Sequence, residues 1–142
     1  MDVFVYGTLT EPERVASVVD SYAFLGSAVL SGLHPVQGDF PTLAPGGKTG
    51  GRLLRTDDVD ALDDYEGVNE GLYVRISVPV AGEGAGDDID DEVAVYVGDP
   101  ARLGVADEVT WPANDDESSG RDGFEARIRA YLRGNDVRVL PQ

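Results

Sequence analysis

The segment Leu62-Asp63-Asp64-Tyr65-Glu66-Gly67-Val68-Asn69-Glu70-Gly71-Leu72-Tyr73-Val74-Arg75 decides how the chain is read. It opens as the end of a short helix, predicted over Val59 to Glu66, and from Tyr73 it alternates like a strand. Val59, Leu62 and Tyr65 recur at threes and make one apolar stripe. At about 100° per residue, Glu66 lies within roughly 60° of the centre of that stripe. Asp60, Asp63 and Asp64 lie well away from it. One acid of the turn is therefore aimed at the interior, and Gly67 behind it is the expected helix stop. Burying a carboxylate is costly, so an inward Glu66 implies a task.

Composition narrows what that task is. At 142 residues the chain is long enough for one domain, 1–142, with a single core. No apolar run reaches the length of a membrane span. Met1-Asp2-Val3-Phe4 enters structure without a basic leader, so no signal peptide is expected and the expected compartment is the cytoplasm. The lack of cysteine excludes disulfides, thiolate nucleophiles and zinc–thiolate sites. A single histidine, His34, excludes a multi-histidine metal site and is the only imidazole open to a serine–histidine hydrolase.

The chain carries 18 Asp and 9 Glu against 10 Arg and 1 Lys, for a net charge of −16. Such a field repels phosphates, so neither nucleic acid nor an anionic membrane is an expected partner. With 42% hydrophobic residues and clear periodic segments, a disordered acidic chain is not the reading. Excess Asp with almost no Lys fits a halophile-like surface, where salt screens self-repulsion. Oligomeric state is left open by such a surface.

In chain order, Asp2 to Tyr6 reads as a central strand, apolar on both faces. Thr10 with Glu13 fits a capping box opening a helix to about Asp20, with Val15, Val18 and Val19 as its buried stripe. Ser21 to Gly32 is strand-like, and Asp39 to Leu43 reads as a loop. Pro45-Gly46-Gly47-Lys48-Thr49-Gly50-Gly51 reads as a hairpin turn into a strand at about Gly51 to Arg55. Gly47-Lys48-Thr49 is not a phosphate-binding loop, because Thr42 stands where the first glycine belongs and no helix follows. Tyr73 to Val80 and Glu92 to Val97 make a hairpin around the acidic tip 81–91, which lacks calcium-loop ligand spacing. A last helix, about Gly123 to Arg133, carries Phe124, Ile128, Tyr131 and Leu132 on one face. Strands outnumber helices without alternating with them, which argues α+β with a curved sheet or barrel.

Phe4-Val5-Tyr6-Gly7-Thr8-Leu9, Phe40-Pro41, Leu62-Asp63-Asp64-Tyr65-Glu66-Gly67 and Leu72-Tyr73-Val74-Arg75, in that order, resemble the gamma-glutamylcyclotransferase-like (AIG2-like) family. The likeness covers about Asp2 to Val97, and its specificity lies in the combination of motifs. It implies a small mixed β-barrel flanked by short helices, with a ligand cavity at one end. It also implies an enzyme that cyclises a γ-glutamyl group to 5-oxoproline and releases an amine or amino acid. The substrate's own α-amine is the nucleophile, which agrees with a chain lacking cysteine and nearly lacking histidine.

In this resemblance Glu66 holds the catalytic position, as general base and then acid. Tyr6, Gly7, Thr8 and Leu9 match the substrate loop, where backbone N–H groups can meet a carboxylate or an oxyanion. Tyr73 matches a substrate-contacting tyrosine. Read from residue type alone, Tyr6 is equally a core residue, Gly7 a turn glycine and Tyr73 a cross-strand packing residue. Arg75 is expected to pair with a nearby acid, and Phe40 and Pro41 to shape a wall. Alternation sets Tyr73, Arg75 and Ser77 opposite Val74, Ile76 and Val78, and leaves open which face lines the cavity. No metal, nucleotide or flavin is implied. The expected partner is a small γ-glutamyl molecule. Alternatives are a non-catalytic member binding a small polar ligand in the same cavity, and a general acidic interaction protein, which requires an exposed Glu66.

Overall fold

The computed structural model describes residues 2–6, 11–37, 41–68, 72–80, 92–98, 104, 121–135 and 137–141. Along the chain run β1 (Asp2–Val5), α1 (Pro12–Val18), β2 (Ala23–Gln37), β3 (Pro41–Arg55), α2 (Val59–Glu66), β4 (Tyr73–Pro79), β5 (Glu92–Gly98), α3 (Arg121–Gly134) and β6 (Arg138–Pro141). The described strands form one six-stranded sheet in the order β4-β5-β1-β3-β2-β6. β1 is buried along its whole length, as a strand apolar on both faces demands. It pairs parallel with β5 and antiparallel with β3. The two edge strands approach each other, and Val80 and Val139 form a bridge between them. The sheet is therefore a curled half-barrel, the mixed α+β architecture expected from the excess of strands.

Asp2 sits in register with Arg55, and its fully buried carboxylate takes two bonds from that guanidinium, at 2.7 and 3.0 Å. Pairing of this kind keeps a charge inside a sheet tolerable. Around it the core is aliphatic and continuous, with Val3, Leu30, Leu43, Leu54, Val78 and Val95 fully buried.

Several sequence expectations need correction. No turn forms at Pro45 to Gly47. β3 runs through this stretch, with Pro45 opposite Leu33 and Lys48 opposite Ser31, and pairs with β2 from Arg55↔Ala23 to Pro41↔Gln37. Gly46 and Gly47 do have positive φ, but they face a register shift between Ser31 and Leu33 rather than a reversal. The expected loop at Asp39 to Leu43 is already β3 from Pro41 onward. At α1 the N-cap is Glu11, without a side-chain cap bond, so the helix opens later than the Thr10 capping box predicts. Thr10 itself lies outside the described residues, as do the acidic tip 81–91 and the side chain of Phe124. β6 has no counterpart in the sequence reading: four residues pair with Ala28 to Ser31 of β2.

Elsewhere the reading holds. α1 buries Val15, its C-cap residue Val19 is buried as well, and Val18 packs against the core. α3 buries Ile128, and the Tyr131 hydroxyl donates to the Gly32 carbonyl at 2.9 Å. β4 and β5 pair antiparallel as expected. Thr42 joins β3 to β5: its hydroxyl accepts from the Gly98 N–H at 2.8 Å and donates to the Gly98 carbonyl at 3.2 Å. These strands flank β1, so this link lies beyond the point where β1 ends and Tyr6 begins.

Candidate active site

α2 is too short to be stable alone and takes its order from anchors at both ends. At its start, the Thr56 hydroxyl donates to the Ser21 carbonyl at 2.6 Å, and the Asp58 N–H donates to Thr56 at 3.1 Å. The Asp58 carboxylate in turn accepts from the Asp20 N–H at 2.9 Å, tying α2 to the chain leaving α1. At its end Gly67 adopts the left-handed conformation, φ 73° and ψ 33°, and its N–H reaches back to the carbonyls of Asp63 and Asp64. This is the predicted stop, at a backbone geometry that only glycine takes without strain.

The buried face of α2 is not the stripe at threes. Leu62 is fully buried, Val59, Asp63 and Glu66 are partly buried, and Tyr65 is exposed. Steps of three drift by about 60° each, whereas positions 59, 62, 63 and 66 stay within roughly 100° of arc. Glu66 thus faces inward as expected, and Asp63 joins it, contrary to expectation.

Asp63 faces the sheet because β4 and β5 offer it donors. Arg75 Nη1 bonds both of its carboxylate oxygens, at 3.1 and 2.9 Å, and the Tyr96 hydroxyl donates to one of them at 2.7 Å. Arg75 and Tyr96 lie directly opposite each other in the β4/β5 register. The face of β4 that carries Tyr73 and Arg75 is therefore the face covered by α2. Arg75 finds an acid partner as predicted. Tyr96 was not read from sequence; its signal, one phenol within a run of valines, acquires meaning only from the β4/β5 register.

Three ionisable groups meet at the end of α2. Burial alone lifts the Glu66 carboxyl from 4.5 to about 7. Among the described residues no arginine or lysine pairs with it. Burial also raises the Tyr73 phenol, with the charges of Glu66 and Tyr65 adding to the effect. The Tyr6 phenol is raised by burial first, then by Tyr73 and Glu66. Both tyrosines consequently stay protonated at any pH where Glu66 titrates. The Tyr6 hydroxyl donates to the Tyr96 carbonyl, and its ring stacks on Phe4 at 6.4 Å between centroids.

Of the residues predicted to form the site, Glu66, Tyr6 and Tyr73 come together here. Gly7, Thr8 and Leu9 lie outside the described residues, as does Phe40. His34 is remote in role: it is exposed, and its ring nitrogen bonds the Gly46 carbonyl at 3.0 Å. Among the described residues no cluster of His, Asp and Glu has the make-up of a metal site. No described helix is long and apolar enough to cross a membrane.

Comparison with known proteins places the family and the fold. The chain is 34% identical over 126 residues to AIG2-like protein C of Arabidopsis thaliana, covering 82% of this chain and 72% of that protein. Its fold is similar to that of a solved gamma-glutamyl cyclotransferase, with a TM-score of 0.59 at 18% identity over 91% of this chain and 98% of the other. It is also similar to an uncharacterized protein from Homo sapiens, with a TM-score of 0.58 at 21% identity over 90% and 97% of the two chains. The family model described as gamma-glutamyl cyclotransferase, AIG2-like, matches residues 3–115, and the chain belongs to that family.

Proposed function

We propose that this protein is a cyclotransferase that converts a γ-glutamyl group to 5-oxoproline and releases the attached amine or amino acid. The observation that carries the reading is Glu66: a partly buried carboxyl, lifted to about 7 by burial, set beside two tyrosines at the end of α2. A general base that must also return its proton works best with a pKa near the operating pH. An interaction surface built from acids would leave this residue in solvent instead.

The substrate brings its own nucleophile. Glu66 as carboxylate takes a proton from the substrate α-ammonium, and the freed amine nitrogen attacks the γ-carbonyl carbon. A new C–N bond closes the five-membered ring, and the former carbonyl oxygen carries the negative charge. Glu66 then gives its proton to the departing nitrogen as the original amide C–N bond breaks. As the oxyanion re-forms the carbonyl, the restored Glu66 carboxylate takes the second proton from the ring nitrogen and passes it to the released amine, so the products are 5-oxoproline and an ammonium ion, with no net gain or loss of protons or electrons. Folding the γ-glutamyl chain into a near-attack shape is the protein's main contribution, because intramolecular attack already has a large proximity advantage. Tyr6, held by its bond to the Tyr96 carbonyl, is a rigid wall of the site, and Tyr73 contacts the substrate from β4. Gly7, Thr8 and Leu9 are proposed to supply the N–H groups that meet the oxyanion or the substrate carboxylate.

The test is 5-oxoproline release from a panel of γ-glutamyl dipeptides and γ-glutamylamines in molar salt, for wild type and Glu66→Gln. The amide keeps the shape and removes the base, so turnover falls by about two orders of magnitude or more with binding retained. Equal turnover in both proteins removes Glu66 from the chemistry. Saturable binding with no turnover in wild type points instead to a non-catalytic binding protein.

A further inference from the structure

One charged group lies a single helical turn from Glu66, and the chemistry above makes no use of it. Asp63 is clamped from two strands, by both contacts of Arg75 Nη1 on β4 and by the Tyr96 hydroxyl on β5. Its side chain is only 17% exposed, so this is not an ion pair of the kind that solvent and salt make negligible. Burial and the bond to Asp63 both raise the Tyr96 phenol, and a guanidinium is always charged, so both donors persist across the range in which Glu66 titrates.

The clamp reaches Glu66 by three routes. Asp63 and Glu66 are three residues apart on the same buried face, as close as neighbouring positions on a helix come. The Asp63 carbonyl is one of the two that receive the Gly67 N–H, so the cap that ends the helix rests on the clamped residue. The Tyr96 backbone carbonyl receives the Tyr6 hydroxyl, so the residue that holds Asp63 also holds the tyrosine beside Glu66. No basic residue in the last turn of α2 offers another tether.

We propose that Asp63 is a positioning residue for Glu66: Arg75 and Tyr96 grip its carboxylate and so fix the last turn of α2, and the attitude of Glu66, against β4 and β5. The assignment rests on the cyclotransferase reading for its activity readout alone. Asp63 does not touch substrate in this scheme. A misplacement of about 1 Å at a reacting group is enough to lose roughly a hundredfold in rate, which is the leverage such a clamp has.

The experiment compares wild type, Asp63→Asn, Tyr96→Phe, Arg75→Lys and Arg75→Met by steady-state kinetics, thermal unfolding and 13C NMR titration of the Glu66 carboxyl. Asp63→Asn is expected to lower kcat about 30-fold or more while KM stays within about threefold, the pattern of a lost transition-state geometry. Tyr96→Phe keeps the backbone carbonyl for Tyr6 and loses one donor, so a smaller fall of about three- to tenfold is expected. Arg75→Lys retains the charge and falls between wild type and Arg75→Met.

The titration needs no turnover. The charge of Glu66 is felt by Tyr6 from the end of β1 and by Tyr73 from β4, and Asp63 lies one turn away on its own helix. In Asp63→Asn the last turn loosens, Glu66 gains water, and the Arg75 guanidinium loses its partner; each change moves the Glu66 midpoint down from about 7. If wild type releases no 5-oxoproline, the cyclotransferase reading fails and the titration alone judges the clamp. A lowered midpoint supports it and an unmoved midpoint overturns it. An active wild type whose Asp63→Asn variant keeps kcat within about twofold and an unmoved Glu66 midpoint also overturns it. Should Asp63→Asn fail to fold, Tyr96→Phe and Arg75→Lys carry the same two readouts.

Discussion

Glu66 on α2 and Tyr73 on β4 share one electrostatic environment: the charge of Glu66 helps hold the Tyr73 phenol protonated, while burial holds the Glu66 carboxyl near 7. The folded state therefore binds a proton at Glu66 more tightly than the unfolded chain does. Between the unfolded value of 4.5 and the folded value of about 7, stability falls as pH rises, and above that range the full cost remains. Replacing the carboxyl by an amide removes the cost. Glu66→Gln is expected to be more stable than wild type by roughly 1–3 kcal/mol at pH 8, with the difference shrinking toward pH 5. Urea unfolding of both proteins at the two pH values measures it.

The same titration governs the proposed reaction with the opposite sense. The base must be deprotonated, so kcat/KM is expected to rise with pH through about 7 and to level off above it. A profile flat from pH 5 to 8 removes Glu66 as the titrating base.

Leu62 and Tyr65 test which face of α2 is buried. Leu62 is fully buried and Tyr65 is 41% exposed. Leu62→Ala is expected to cost about 2–5 kcal/mol through lost packing and a cavity. Tyr65→Ala is expected to stay within about 0.5 kcal/mol of wild type, as surface changes do. Chemical denaturation distinguishes this from the stripe at threes, which makes both changes costly.

Gly50 and Gly51, adjacent in β3, are expected to differ sharply. A Cβ on Gly51 would lie 2.3 Å from the Val5 carbonyl oxygen and 2.7 Å from the Phe4 ring, whereas one on Gly50 meets nothing within 4 Å. The first contact is with backbone of the central strand and cannot be relieved by a side-chain rotation. Gly51→Ala is expected to cost about 2 kcal/mol or more, if the protein accumulates at all. Gly50→Ala is expected to be neutral or stabilising by up to about 1 kcal/mol, because alanine restricts the unfolded chain. Thermal unfolding of the two variants, or their yield of folded protein, reads the difference.

Net charge of −16 sets the fifth expectation. Self-repulsion among exposed acids is screened over about 10 Å at 0.1 M salt and about 3 Å at 1 M. The unfolding midpoint is expected to rise as KCl goes from 0.1 to 2 M. A midpoint that is flat or falls shows that the acidic surface is not a stability device for high salt.

Local pattern was enough to determine much of this molecule. The bounds of α2, the stop at Gly67, the pairing of β4 with β5 and the buried strand at Val3 to Val5 follow from apolar spacing, a glycine and turn-prone residues, all of which act over a few neighbouring positions. Tyr6 and Tyr73 stand out only through the resemblance to family motifs, and Glu66 through that resemblance and its inward place on the helix. Tertiary structure decided what depends on a partner. Pro45 to Gly51 has the composition of a turn, yet β2 supplies hydrogen bonds along its length and it extends as β3. A helix of two turns with mixed polarity can bury either of two overlapping stripes, and the donors on β4 and β5 drew Asp63 inward while Tyr65 stayed in water. Arg75 and Tyr96 meet only because the β4/β5 register sets them side by side, and register is a property of two strands that neither sequence segment carries alone.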